Sequence, residues 1–481
     1  MKIVRLALNL FFCGCFFIAS LCNAHSIEER YDLPLPLSFF IIGSGLVVLL
    51  SFLFLFISYP SIIHPHSQPK IILRLATHQP FLSLVVGVAK ALSILLFFTV
   101  LGACFWGNPD PLENLAPNFI WITWWLGLSL LISFLGNFWP IINPWSNLFH
   151  IFQWIFNKRF PSLPTTLNLP LPTFFKMAIG TGFLLTWSWL ELIYPVAFVP
   201  ARIGQLIGIW TLINLVGMCL FGVATWQTRC DVFSIYFYWL GKFGCFFYNS
   251  VSNTLERRYL SQGLYSLDAN QINSIGLAPF ILAMLSTVLF DGLHSNSAWL
   301  IFEQYLMNIF PQWLNASFNF SGTFGLISTW LIFWAFYRIS CYIPQKYCSS
   351  ADLTYLPDYL APSLIPIAVG YLIAHNFSSF VIQIQNFIFL ISDPFHLGWD
   401  LFRTKSFRPN IAIIDAGFTW YLAFFAILIG HVLALRCSHL IFIRITHQRK
   451  DVLILSIAHT ILMVLLTMMS LIIIAEPMTI S

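Results

Sequence analysis

The sequence predicts an all-α fold: a polytopic bundle of about ten transmembrane helices, preceded by a signal peptide and accompanied by short interfacial helices. Three observations predict it. Only 9% of residues are charged and 58% are apolar, against roughly 25% charged in a soluble domain, so most of the chain cannot face water. Apolar stretches long enough to cross a bilayer recur along its whole length. The basic residues between those stretches fall unevenly on two sides. The 50 Phe and 18 Trp suit the same class, since aromatic rings serve lipid contact and the interfacial belts. The net charge of +5 comes from scattered Lys and Arg and gives no basic patch for nucleic acid. The partner implied by composition is the lipid bilayer.

At the N-terminus, Lys2 and Arg5 precede a sixteen-residue apolar core from Leu6 to Leu21. Cys22 and Ala24 then place small residues three and one positions before His25, which is the pattern of a signal peptide cut after residue 24. The alternative is an uncleaved anchor, which adds a span. Residues 25–36 are expected to form an extracytoplasmic lead-in, held extended by Pro34 and Pro36. Residues 37–481 are read as a single transmembrane helical domain.

Spans are expected near 37–59, 80–106, 118–138, 173–195, 205–226, 275–290, 322–342, 359–390, 416–436 and 451–475. The stretch at 275–290 is the shortest, and 359–390 is long enough to tilt or break at Pro362 and Pro366. With the mature N-terminus outside, fifteen Lys and Arg fall on inner loops and helix ends and five on outer segments. Basic residues favour cytoplasmic loops, so both mature termini are expected to be extracytoplasmic. Five of the cysteines beyond residue 25 fall on the inner side of this map, where thiols stay reduced. The segments 231–247 and 297–314 read as interfacial helices. Segment 137–156, with two prolines, is too broken to cross.

Ionisable residues inside spans are costly and mark functional candidates. Here they are Lys90, Glu191, His375, His431 and His459. They suit a proton or ion pathway, or, through the three histidines, a metal or haem; buried imidazoles that simply hold helices together are the plainer alternative. A second group maps to the outer face: His25, Asp291, His294, Asp393 and His396, with Asp32, Glu303 and Asp400 nearby. Such groups can hold a divalent zinc or copper ion that activates water. A freed His25 offers an α-amine and an imidazole on one residue, a chelate suited to copper. The sequence contains no H-E-x-x-H, P-loop, G-x-S-x-G or paired C-x-x-C motif, so spacing alone assigns no enzyme chemistry.

The stretch AHSIEERYDLPLPL, with Ala24, His25, Arg30, Asp32, Leu33, Pro34 and Pro36, resembles the start of bacterial multi-pass membrane proteins known as fenitrothion hydrolases. NPWS at 143–146, PSLIPIAVGYLIAHNFSSFVIQIQ at 362–385 and SDPFHLGWDLF at 392–402 extend the likeness over most of the chain. Ser26 and the Glu28-Glu29 pair depart from the Gly-rich version of the opening. The resemblance implies a bacterial inner-membrane protein, and metal-assisted hydrolysis of organophosphorus-type esters at its outer face. It carries over no catalytic residues. A transporter or proton pathway, and a membrane copper or haem carrier, stand beside it as alternatives.

Overall fold

The structure is a computed structural model that describes residues 36–475, apart from 58–68, 75–78, 173–174, 176, 251, 267–275, 311–318, 349–352, 354 and 447. The expected signal peptide, His25, Asp32 and the C-terminal end therefore lie outside the described residues. The chain folds as an all-α polytopic bundle, because in hydrocarbon only a helix satisfies every backbone group within its own segment. In chain order the helices are α1 (Leu37–Ile57), α2 (Gln79–Trp106), α3 (Leu115–Leu135), α4 (Pro144–Arg159), α5 (Ala178–Leu192), α6 (Pro200–Phe221) and α7 (Val232–Phe243). They continue as α8 (Ala278–His294), α9 (Ser297–Ile309), α10 (Phe320–Gln345), α11 (Leu356–Gln383), α12 (Ala416–Ile445) and α13 (Arg449–Ala475).

A helix lies within each of the ten expected spans, but their lengths differ. Eight of the described helices are long and apolar enough to cross a membrane, and α8 with α9, bent by 87° at the break between them, supplies up to a ninth. The two short ones are α5, with 15 residues, and α8, with 17. At 1.5 Å per residue they reach about 22 and 25 Å, less than the roughly 30 Å of a hydrocarbon core. Helix α8 sits inside the bundle, packed on α5, α10 and α11 and buried along most of its length, whereas α5 buries four of its 15 residues.

Contacts between loops sort the chain into two ends. At one, strand β1 (Lys70–Arg74) pairs with β3 (Thr254–Arg257), which also pairs with β2 (Phe246–Asn249), giving an antiparallel sheet of order β1-β3-β2. At the same end the Ala278 N–H donates to Asp358 over 2.8 Å, and Arg444 donates to the Tyr265 carbonyl. At the other end Asn108 faces His396 at 3.5 Å, and the Asn410 N–H donates to Gln385 over 2.9 Å. The three strands, only four or five residues long, lie outside the ten expected spans, and β2 begins in the last residues of the segment expected to be an interfacial helix.

Two expectations for the shorter segments need correction or refinement. Helix α7 is not interfacial: nine of its 12 residues, including Phe233, Tyr236, Phe237 and Trp239, are buried against α3, α5 and α11. Apolar and aromatic residues run around its whole circumference, so no face is left for water. Asp231 caps its N-terminus, accepting from the Phe233 N–H over 3.3 Å. By contrast α9 is peripheral, burying only Trp299 and Leu306. Segment 137–156 is broken as expected, into a turn at Trp139–Ile142 and α4, where Asn143 caps the Trp145 and Ser146 N–H groups. Helix α11 also breaks as expected, through a 3-10 turn at Ala361–Leu364 around Pro362.

Close helix packing depends on small residues. In α11 and α12, Gly370 and Gly430 face one another; a Cβ at Gly370 would lie 2.5 Å from the Ala426 carbonyl oxygen, and one at Gly430 would lie 2.6 Å from that of Pro366. Gly136 ends α3 with a φ of 116°, a left-handed conformation that suits glycine. A Cβ there would also strike the Phe246 carbonyl.

Candidate functional site

The two short helices carry acidic groups near their C-terminal ends, and the bundle brings these together. Glu191 is the penultimate residue of α5, and Asp291 lies one turn before the end of α8. From α11, His375 places its Nε2 3.1 Å from an Asp291 carboxylate oxygen. The side chains are 12% and 29% exposed, so the pair is largely enclosed yet reachable. Glu191 lies close enough to Asp291 for their charges to interact, and its carboxylate accepts the Trp125 indole N–H over 3.0 Å.

Local sequence explains these placements. Residues Asn118–Gly127 within α3 form a π-helical stretch. Such a stretch alters the register of side chains along a helix and recurs at functional sites. It carries Trp121, Trp124 and Trp125 into the bundle, where the Trp125 ring lies 4.7 Å from that of Tyr236 in α7. In α11, Tyr371 sits one turn before His375, and their rings are 6.3 Å apart and nearly parallel. Gly292 admits the Tyr371 hydroxyl beside Asp291, since a Cβ at Gly292 would collide with it. The result is a line of polar groups, Trp125, Glu191, Asp291 and His375, set among Tyr236 and Tyr371. Carboxylates and an imidazole at such distances can pass a proton or accept one from a bound molecule.

The remaining sequence candidates separate. Lys90 is exposed on α2 and does not meet Glu191, which is bonded to Trp125. His431 is buried and its Nδ1 pairs with the Ile427 carbonyl at 2.8 Å, a bond within its own helix. His459 is buried in α13, edge-on to the Phe442 ring at 6.1 Å, with no hydrogen-bond partner among the described residues. Of the two, only His459 has a ring contact between α12 and α13, and neither meets the other or His375 among the contacts of the described residues. On the outer set, His294 rests against Phe290 and Trp299. Glu303 accepts from Ser321 over 2.6 Å. Asp393 accepts from the Leu397 and Gly398 N–H groups, each at 2.8 Å, and so orders its own loop.

His396, at a left-handed φ of 56°, faces Asn108. Among the described residues there is no group of three His, Cys, Asp or Glu able to hold a metal ion. Asp291 thus belongs with His375 rather than with the outer loop residues, and the two sequence groups meet in one pair. Trp125, Tyr236 and Tyr371 were not singled out by sequence. Of these, only Tyr371 left a signal, its spacing of four from His375 on one helical face. Comparison of the chain with protein-family models, with curated proteins and with solved structures finds no match.

Proposed function

We propose that this protein is a proton-handling membrane protein, a transporter or ion pathway in which Glu191, Asp291 and His375 load and release protons within the bundle. The observation that carries the reading is the Asp291–His375 pair, 3.1 Å apart, with Asp291 near the end of the shortened α8 and His375 midway along α11 beyond its 3-10 break. Ionisable groups at such depth mark proton relays, and interrupted helices mark transport sites. In this reading the protein lies in a bacterial inner membrane, with the basic end bearing Lys70 and Arg74 in the cytoplasm.

The test uses purified protein in liposomes that enclose a pH-sensitive dye, with a potential imposed across the membrane. Proton flux is expected with the wild type, and at least a tenfold loss with His375→Gln or Asp291→Asn. Lys90→Gln should retain the flux. Wild-type liposomes no leakier to protons than empty ones would overturn the reading. A second reading, hydrolysis of a lipid-soluble ester, is favoured by the same partly open pair, since a carboxylate-oriented imidazole is a general base for water. It predicts His375-dependent turnover of a lipophilic phosphotriester without proton flux.

A further inference from the structure

A cavity of about 650 Å³ lies among α2, α3, α5 and α6, closed by the first residues of α4 and α7, and no residue of the acid–base line belongs to its wall. Its wall is apolar and strongly aromatic, with Trp121, Trp124, Trp145, Trp187, Trp210 and Phe233 among the lining residues. No charged side chain lines it. The Ser93 and Thr186 hydroxyls on its wall donate to carbonyls of their own helices, those of Lys90 and Gly182, over 2.8 and 2.9 Å. Most of the wall is carbon, so it offers a ligand mainly dispersion contacts; the Thr123 hydroxyl and the Trp139, Trp187 and Trp210 indole N–H groups are buried behind that surface, with no hydrogen-bond partner among the described residues.

The cavity is continuous with the lipid-facing surface. Leu92, Leu131 and Ile209 line it, and each is more than half exposed. Leu92 also belongs to an exposed stripe with Leu84, Val88 and Leu95 along α2, and Ile209 to one with Leu212 and Val216 along α6. Apolar stripes of this kind face hydrocarbon in a membrane bundle. Along α2 the lining runs from Ala89 to Val100, and along the adjacent α6 from Ile203 to Ile213. Those runs correspond to about 15 Å of helix rise, half of a roughly 30 Å hydrocarbon core and so the depth of one leaflet. The volume falls within the roughly 300–1,000 Å³ of ordinary ligand sites.

We propose that this cavity holds one acyl chain of a membrane phospholipid, admitted sideways from the bilayer between α2 and α6. The inference stands apart from the proton reading, because no residue of the Glu191–Asp291–His375 line belongs to the lining. A bound chain would contact the lining indoles, and bromine on the chain quenches indole fluorescence only at contact.

The test places the full-length protein in nanodiscs of phosphatidylcholine with dibrominated acyl chains. Ala89→Phe and Leu206→Phe, which fill the cavity from α2 and from α6, should reduce quenching by about a third relative to wild type. Leu84→Phe, on the same lipid-facing stripe but outside the lining, should leave quenching unchanged. Equal quenching in all four proteins would overturn the proposal. Should the filled variants fail to fold, a cryo-electron microscopy map of the wild type in nanodiscs decides. Chain-shaped density between α2 and α6 supports the proposal; an empty cavity, or density seen only in detergent, overturns it.

Discussion

Asp291, grouped by sequence with the outer-face residues, is paired by the fold with a residue of the other group. By position it ends a short apolar helix and reads as an outer-face ligand; in the fold its partner is the mid-span His375, 84 positions later in the chain, at 3.1 Å. Nothing in local spacing encodes that pairing, which arises because α8 packs against α11. Asp400 is the opposite case, a residue whose role is local. Desolvation pushes its pKa up, but hydrogen bonds from the Lys405 and Thr404 N–H groups and the Ser392 hydroxyl outweigh it and hold the carboxyl below the usual range. A lowered native pKa stabilises the loop above the ordinary carboxylate pKa, and the effect is lost as pH falls through the native value. Asp400→Asn should therefore speed amide hydrogen exchange at Thr404 and Lys405 several-fold at pH 7, with little change elsewhere. Unaltered exchange there would show that the carboxylate charge does not order the loop.

At the scale of elements, apolar length was legible and depth was not. All ten expected spans contain helix, because runs of apolar residues leave the backbone no other way to satisfy its hydrogen bonds in lipid. Helix α5, with 15 residues, falls short of its expected span at 173–195, whereas the shortness of α8 matches the shortest expected span, at 275–290. The interfacial reading of α7 failed because composition cannot distinguish a helix lying on the membrane from one buried within the bundle; surrounding helices decide that. The contact of α11 with α12 relies on paired glycines, so Gly430→Val should drive the helices apart. Overpacking of this kind costs about 1–3 kcal/mol. The expected result is a lower thermal midpoint by intrinsic fluorescence in detergent; an unchanged midpoint would mean the helices separate without cost.

For the whole molecule, the fifteen-to-five distribution of Lys and Arg and the loop contacts divide the chain in the same way. Lys70 and Arg257 pair in one sheet, as residues at one end of the bundle must. Reporter fusions after Arg258 and Arg449 should therefore report the same side of the membrane, and one after Asn410 the opposite side. Opposite signals from Arg258 and Arg449 would break the even number of passes between them.

The sequence by itself determined the class of this protein, the places where helices form and the Pro362 break, because hydrophobic length and backbone hydrogen bonding are local properties. Tertiary structure alone decided which polar groups meet. Asp291 with His375, Glu191 with Trp125, and the apolar cavity between α2 and α6 each depend on helices far apart in the chain. Their packing is fixed by the shapes of many side chains together, which no single stretch of sequence displays.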